Sequence, residues 1–335
     1  MTIEGLSSSV LEDKTYIWPV LSEQMRFSTV AVALAAFASS VSAGPIIKRQ
    51  SDSTSTDIDA VILQYALTLE HLENAFYKKA LSEWSQQQFI DAGFSAKFYD
   101  DLKYVAHDEE GHVVYLEAGL TAAGAKPVQA CEYSFPMTDP EEFVALASVI
   151  EGVGVSAYLG AAPLVTSKAY LTAAGAILVT EALHQSQQRN AIGEVPAANV
   201  FGTPLGFNAV YSIASGFIKS CPATNMPLPV MAYPALTLQS GLPTAQGANI
   251  QLETSNATAS GSFATFVSGI NVAAVAPMSS SGNTHMVEVP MMVEGQSYVF
   301  ITKDNSGNLT DSNIIAGPAI LEVTPLSPTF NLTIT

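Results

Sequence analysis

The chain has 335 residues, 48% of them hydrophobic and only 13% charged, so it can bury a large core and lacks the composition of a disordered protein. Thirteen Lys and Arg against 30 Asp and Glu give a formal net charge of −17. A surface this acidic repels nucleic acid and anionic membranes and attracts cations, so nucleic-acid binding is set aside.

Residues 1–49 read as targeting and processing sequence. From Met25 the run MRFSTVAVALAAFASSVSA has one arginine, an apolar stretch and a small-residue end at Val41-Ser42-Ala43, the pattern of a secretory signal peptide. The apolar run is short for a membrane helix, so no transmembrane segment is expected in the mature protein. Such signals begin at a chain's own start. Met25 is therefore the expected initiator, and Met1–Gln24 an overextended gene model. Lys48-Arg49 offers a dibasic processing site that leaves a mature start near Gln50, and Asp57 or Asp59 can cap the first helix.

Four long helices follow. The first is expected over about 57–84, with a stripe of Leu63, Ala66, Leu67, Glu70, Asn74 and Tyr77 at steps of three and four. The second, about 95–123, carries Leu102, Val105, Ala106, Glu109, His112, Val113 and Leu116, and ends at Gly124 and Pro127. A long connection over 124–140 holds Cys131. The third helix, about 140–161, is capped by Asp139, has Glu141 and Glu142 in its first turn, and carries Val144, Ala147, Ser148, Glu151, Val155 and Tyr158. Pro163 separates it from the fourth, about 167–191, with Ala174, Ile177, Leu178, Glu181 and His184. An amphipathic stretch over 207–219 predicts a fifth helix beside the bundle.

A carboxylate on a core-facing stripe is costly unless it is paired or binds a metal. Here four stripes carry one each. Glu109/His112 and Glu181/His184 are spaced three apart, so each pair presents an oxygen and a nitrogen to one point. The order Glu70, Glu109-x-x-His112, Glu151, Glu181-x-x-His184 predicts a four-helix bundle with a two-metal iron or manganese site in its core. Any one of these histidines alone would be an ordinary core or surface residue; the set of six has no such bland account.

The pattern repeats. Tyr77 follows Glu70 by seven residues, and Tyr158 follows Glu151 by seven; Glu109 follows Glu70 by 39, and Glu181 follows Glu151 by 30. Each half is a helical hairpin. Glu73 rivals Glu70 as a ligand, but only Glu70 matches Glu151 in its distance to tyrosine, so Glu73 ranks as a neighbour of the ligands or an alternative to Glu70. Tyr77 and Tyr158 either fill the core or hydrogen-bond to ligand carboxylates.

The segments LTLEHLENAFY (67–77), HDEEGHVVYL (107–116), IEGVGVSAYLGAA (150–162) and VTEALHQSQQR (179–189) resemble the ferritin-like domain of secreted fungal stress-response and late-sexual-development proteins, with plant desiccation-related proteins as more distant relatives. The resemblance covers roughly 57–219, and all six ligand positions match. It implies a ferritin-like bundle and a role in stress or development.

Secretion makes one disulfide the simple expectation for Cys131 and Cys221, against two free buried thiols. Residues 222–249, with Pro222, Pro227, Pro229, Pro234 and Pro243, read as a linker. From about 250 the runs FATFVSGINVAAVAP, THMVEVPMMV, GQSYVFITKD and AILEVTP predict five to seven strands in a small sandwich-like module. Its sequons at Asn256, Asn308 and Asn331 suit a glycosylated extracellular or cell-wall protein. His285 reads as an isolated surface residue. No phosphate loop, nucleophile elbow or cysteine metal cluster appears.

Two functions remain in view. One is redox chemistry by paired metals on oxygen or a peroxide, of the ferroxidase, oxygenase or manganese-catalase type. Its partners would be a small oxidant or a metal ion. The other is a structural or partner-binding protein, with cell-wall or homo-oligomer contacts and a structural or vestigial metal site. Ferritin-type storage fits poorly, because a closed cage would have to accommodate a glycosylated β module.

Overall fold

The computed structural model describes residues 58–239, 244–255, 261–329 and 333. The expected leader, Asp57, Asn256 and Asn331 lie outside those residues. The first hairpin consists of α1 (Ile58–Glu83), a short α2 (Gln86–Asp91) and α3 (Ala96–Ala122); the second consists of α4 (Pro140–Ala161) and α5 (Lys168–Ala191). Local chemistry sets their ends. Ser95 Oγ accepts from Phe98 N at 3.0 Å and Asp139 Oδ1 from Glu142 N at 2.8 Å, starting α3 and α4. Glycines at positive φ, Gly93 (96°) and Gly124 (79°), stop α2 and α3. The glutamine run of α2 shows no apolar stripe in sequence; fully buried Phe89 anchors it instead.

Asp59 does not cap α1. Its carboxylate accepts from Thr166 N at 2.7 Å and Ser167 N at 2.9 Å, which ties the start of α1 to the start of α5. The long connection is also pinned to α1. Gln64 accepts from Val128 N at 2.8 Å and donates to Lys126 O at 2.7 Å. Strand β1 (Glu132–Tyr133) lies in that connection. The fifth helix is shorter than expected: α6 covers Phe207–Ala214, and after one 3-10 turn the chain enters β2 (Ile218–Ser220), antiparallel to β1. Pairing with β1 takes the place of further helix. The Cys131–Cys221 disulfide closes this corner, with Cα atoms 4.2 Å apart.

The C-terminal module contains β3 (Leu236–Leu238), β4 (Asn249–Thr254), β5 (Phe263–Ser268), β6 (Asn271–Val275), β7 (Ser279–Ser281), β8 (Thr284–Glu288), β9 (Gly295–Thr302) and β10 (Ile314–Val323). They form two antiparallel four-stranded sheets, ordered β10-β9-β5-β6 and β3-β4-β8-β7. Fully buried Ile250 and Leu252 from one sheet share a core with Phe266, Val299 and Leu321 from the other, so the module is a sandwich. From Asn249 onward the described residues form seven strands, within the five to seven expected, and β3 adds an eighth. The module starts earlier, because β3 lies inside the expected linker, where three residues offer too little alternation to read. His285 is 1% exposed, not on the surface; its Nδ1 meets Ser280 Oγ at 2.9 Å across the β7–β8 pair.

The sandwich packs directly on the bundle. Tyr298, fully buried, meets Ser156 Oγ at 2.8 Å, and buried Arg189 of α5 donates to both carboxylate oxygens of Glu322 at 2.6 and 2.7 Å. Phe300 and Ile314 join the same apolar cluster as Phe76 and Phe143. Helix α4 with its following turn, Pro140–Leu164, is long and apolar enough to cross a membrane, but 72% of its most apolar window is buried here. That is the packing of a central core helix.

Gly160 shows how close this packing is. A Cβ there would lie 1.7 Å from the backbone oxygen of Leu205. Gly160→Ala should destabilise by about 3 kcal/mol, the upper range for overpacking, and a denaturant titration reads it directly. An unchanged midpoint would refute the close approach.

Candidate metal centre

The structure brings all six stripe residues to one place. Glu70, Glu109, Glu151 and Glu181 are each fully buried, one per long helix, and His184 is 4% exposed. Their donor atoms fall into two sets, Glu70/Glu109/His112/Glu181 and Glu109/Glu151/Glu181/His184, each within 4.8 Å. Glu109 and Glu181 belong to both sets. His112 Nδ1 lies 3.1 Å from Glu70 and 3.4 Å from each of Glu109 and Glu181. His184 Nδ1 lies 2.9 Å from Glu109 and 3.3 Å from Glu151.

The tandem repeat in sequence becomes a two-fold exchange in space. Tyr77 of the first hairpin donates to Glu151 of the second, and Tyr158 of the second donates to Glu70 of the first. Each tyrosine thus holds the outer oxygen of the opposite terminal carboxylate. The spacing of seven residues places it two helical turns from its own glutamate, level with the other half's ligand.

Many of these atoms lack a hydrogen-bond partner. Both oxygens of Glu109, both of Glu181, Glu151 Oε2 and His184 Nδ1 have none among the described residues. They approach one another at short distance without hydrogen-bond alignment. Orphaned buried polar atoms are expensive, and six converging on two points fit a pair of cations. Four carboxylates would balance the charge of two divalent ions.

A profile of the ferritin-like domain matches residues 58–194. That span holds all six residues. Residues 58–194 form a ferritin-like domain. Protein rds1 of Schizosaccharomyces pombe is 28% identical over 185 residues, which cover 55% of this chain and 45% of that protein. The match therefore spans less than half of that relative's length. A conserved hypothetical protein of Mycobacterium tuberculosis, rv2844, is similar at 18% identity with a TM-score of 0.34, covering 41% of this chain and 91% of that one. The ferritin-like profile and the fungal relative agree with the fungal ferritin-like resemblance of the sequence.

Within the ferritin-like domain, Glu73 stands apart from both donor sets. It is 3% exposed and lies beside the cluster, since a Cβ on Gly154 would meet both Glu181 Oε2 and Glu73 Oε1. Glu110 points outward and pairs with Lys78 at 2.8 Å. Sequence reasoning missed Asp108, whose Oδ2 lies 3.2 Å from His184 Nε2. That contact holds the imidazole with Nδ1 toward the carboxylates. The only sequence signal was an acid one residue off the stripe, which reads as surface. Gln188, fully buried, donates to Tyr77 Oη at 3.4 Å and extends the network.

Burial pushes the Glu109 carboxyl up to about 7, against the pull of His112 and His184. Burial, then the Glu109 charge, raises Glu181 as well, and burial with the Glu181 charge raises Glu73. For His184, burial works downward, but Glu109 and Glu151 outweigh it and raise it to about 11. Every one of these folded values lies above its unfolded one, so the folded state holds protons more tightly. The Glu109 carboxyl contributes stability below pH about 4.5 that is lost as pH rises through about 7, and His184 contributes stability that falls away from about 6.5 to about 11. Metal-free protein should melt at progressively lower temperature from pH 5 to 8. Metal-loaded protein should not, because the cations take the place of the protons. Parallel melting curves in chelator and in metal test this.

Proposed function

We propose that this chain is a secreted protein whose ferritin-like domain binds two iron or two manganese ions and carries out redox chemistry on oxygen or a peroxide, in stress or development. The observation that carries this reading is the pair of donor sets sharing Glu109 and Glu181. Sharing two carboxylates suits two adjacent ions rather than one structural ion. When bound, such a pair supplies Lewis acidity and redox equivalents toward a small oxidant. The chain's own residues do the rest. Glu109 and Glu181 would serve both ions, Glu70 with His112 and Glu151 with His184 would hold one each, and the two tyrosines and Asp108 would fix the orientation of those side chains. The surrounding core excludes bulk water.

The signal-like segment and the sequons support the extracellular assignment; Asn308 is exposed on the β9–β10 loop. Elemental analysis of protein secreted by its native host, followed by oxygen-electrode assays with a reductant and with peroxide, tests the proposal. Two iron or manganese ions with turnover are expected. A metal-dependent melting shift without turnover of either oxidant would favour the structural, partner-binding role instead.

A further inference from the structure

We infer that dioxygen, rather than a peroxide, reaches this centre through a dry apolar cleft between α3 and α5 that ends at Tyr158. The route rests on the two-metal reading above; the cleft does not. Its mouth lies between Tyr115 and Gly119 of α3 and Ala174 of α5, and its floor is Leu69 and Tyr158. Tyr115 is 55% exposed while Leu69 and Tyr158 are 8% exposed, so the cleft leads from solvent into the core. Its floor is the ring whose hydroxyl holds Glu70, a member of the first donor set.

The size and lining select the occupant. The open volume is about 50 Å³. An apolar protein cavity of roughly 150 Å³ stays dry and accepts benzene or xenon, so this smaller one excludes benzene and suits a diatomic gas or a single xenon atom. The deep polar groups of the lining are committed elsewhere. Tyr65 Oη donates to Phe207 O at 2.9 Å, Tyr158 donates to Glu70, and Asp59 accepts from Thr166 and Ser167. Water or hydrogen peroxide would need several polar partners there, whereas dioxygen needs none.

Gly119 lines the same cleft. Glycine inside a helix is unfavourable, and here no close packing requires it: a Cβ would meet nothing within 4 Å. Its missing side chain leaves the mouth open, opposite the small Ala174.

Crystals of the metal-free full chain under xenon pressure test the cleft without relying on the metal. Xenon should appear beside Tyr158. It should be lost in Gly119→Phe, which introduces no backbone clash, and in Ala174→Phe from the opposite wall; melting curves establish that both variants fold. In metal-loaded protein, the same variants should raise the apparent KM for dioxygen severalfold at constant kcat and leave the KM for peroxide unchanged. Absence of xenon from the wild-type cleft overturns the inference, as does an unchanged oxygen KM in both folded variants or a parallel rise for peroxide. Failure to take up metal would instead overturn the two-metal reading, and the xenon result would still stand.

Discussion

Glu109→Ala and Glu181→Ala are each expected to abolish binding of both metals, while Glu70→Ala or Glu151→Ala should leave one. The difference follows from the donor sets, because Glu109 and Glu181 serve both and the terminal glutamates serve one each. Loss of a residue that only orients a ligand typically costs roughly 10–100-fold in affinity, so loss of a shared ligand should exceed that. His112→Ala and His184→Ala should each weaken one site. Asp108→Ala should weaken the His184 site by about 10-fold, in line with an outer-shell contact. Glu110→Ala is the control: the residue faces solvent, pairs with Lys78, and should leave metal content unchanged. Metal-free Glu181→Gln should hold its melting temperature better than wild type as pH rises, since the amide stays neutral where the buried carboxyl must lose its proton, yet lose the metal-dependent shift. Elemental analysis with melting curves separates these outcomes. If Glu110→Ala strips the metal and Glu109→Ala does not, the helix register is wrong.

The Cys131–Cys221 bridge should matter more to stability than any surface contact. It spans 90 residues, including all of α4, α5 and α6. Constraining a loop of that length in the unfolded chain corresponds to roughly 4–5 kcal/mol on the loop-entropy account. A Cys131→Ser/Cys221→Ser variant should therefore lose that much unfolding free energy in a denaturant titration, with metal content unchanged. A loss under about 1 kcal/mol would mean that the β1–β2 pair and the Gln64 contacts already hold the corner without the bridge.

The bundle was legible because its signals are local. Apolar steps of three and four marked each helix, and Ser95, Asp139 and the glycine at 124 marked ends that the structure places within a residue or two. The cluster of six was legible for a different reason: charged residues on apolar stripes contradict their surroundings, and a contradiction repeated in tandem is information. What escaped depends on contacts distant in sequence. Asp108 looks like a surface acid until His184 of another helix arrives beside it. Asp59 looks like an N-cap until Thr166 and Ser167 occupy its carboxylate. Strand β3 is three residues long and exists only because β4 pairs with it. His285 is polar in sequence but sits where two strands bury it. The packing of the sandwich on the bundle, through Tyr298 and the Arg189–Glu322 pair, left no local trace at all.

The central claim is that two ions sit side by side on six residues of the ferritin-like domain. Anomalous diffraction from crystals of the native protein, collected at the iron and manganese edges, tests it most directly. Two peaks are predicted, one among Glu70, Glu109, His112 and Glu181, the other among Glu109, Glu151, Glu181 and His184. No peak at either position in protein supplied with both metals would contradict the account.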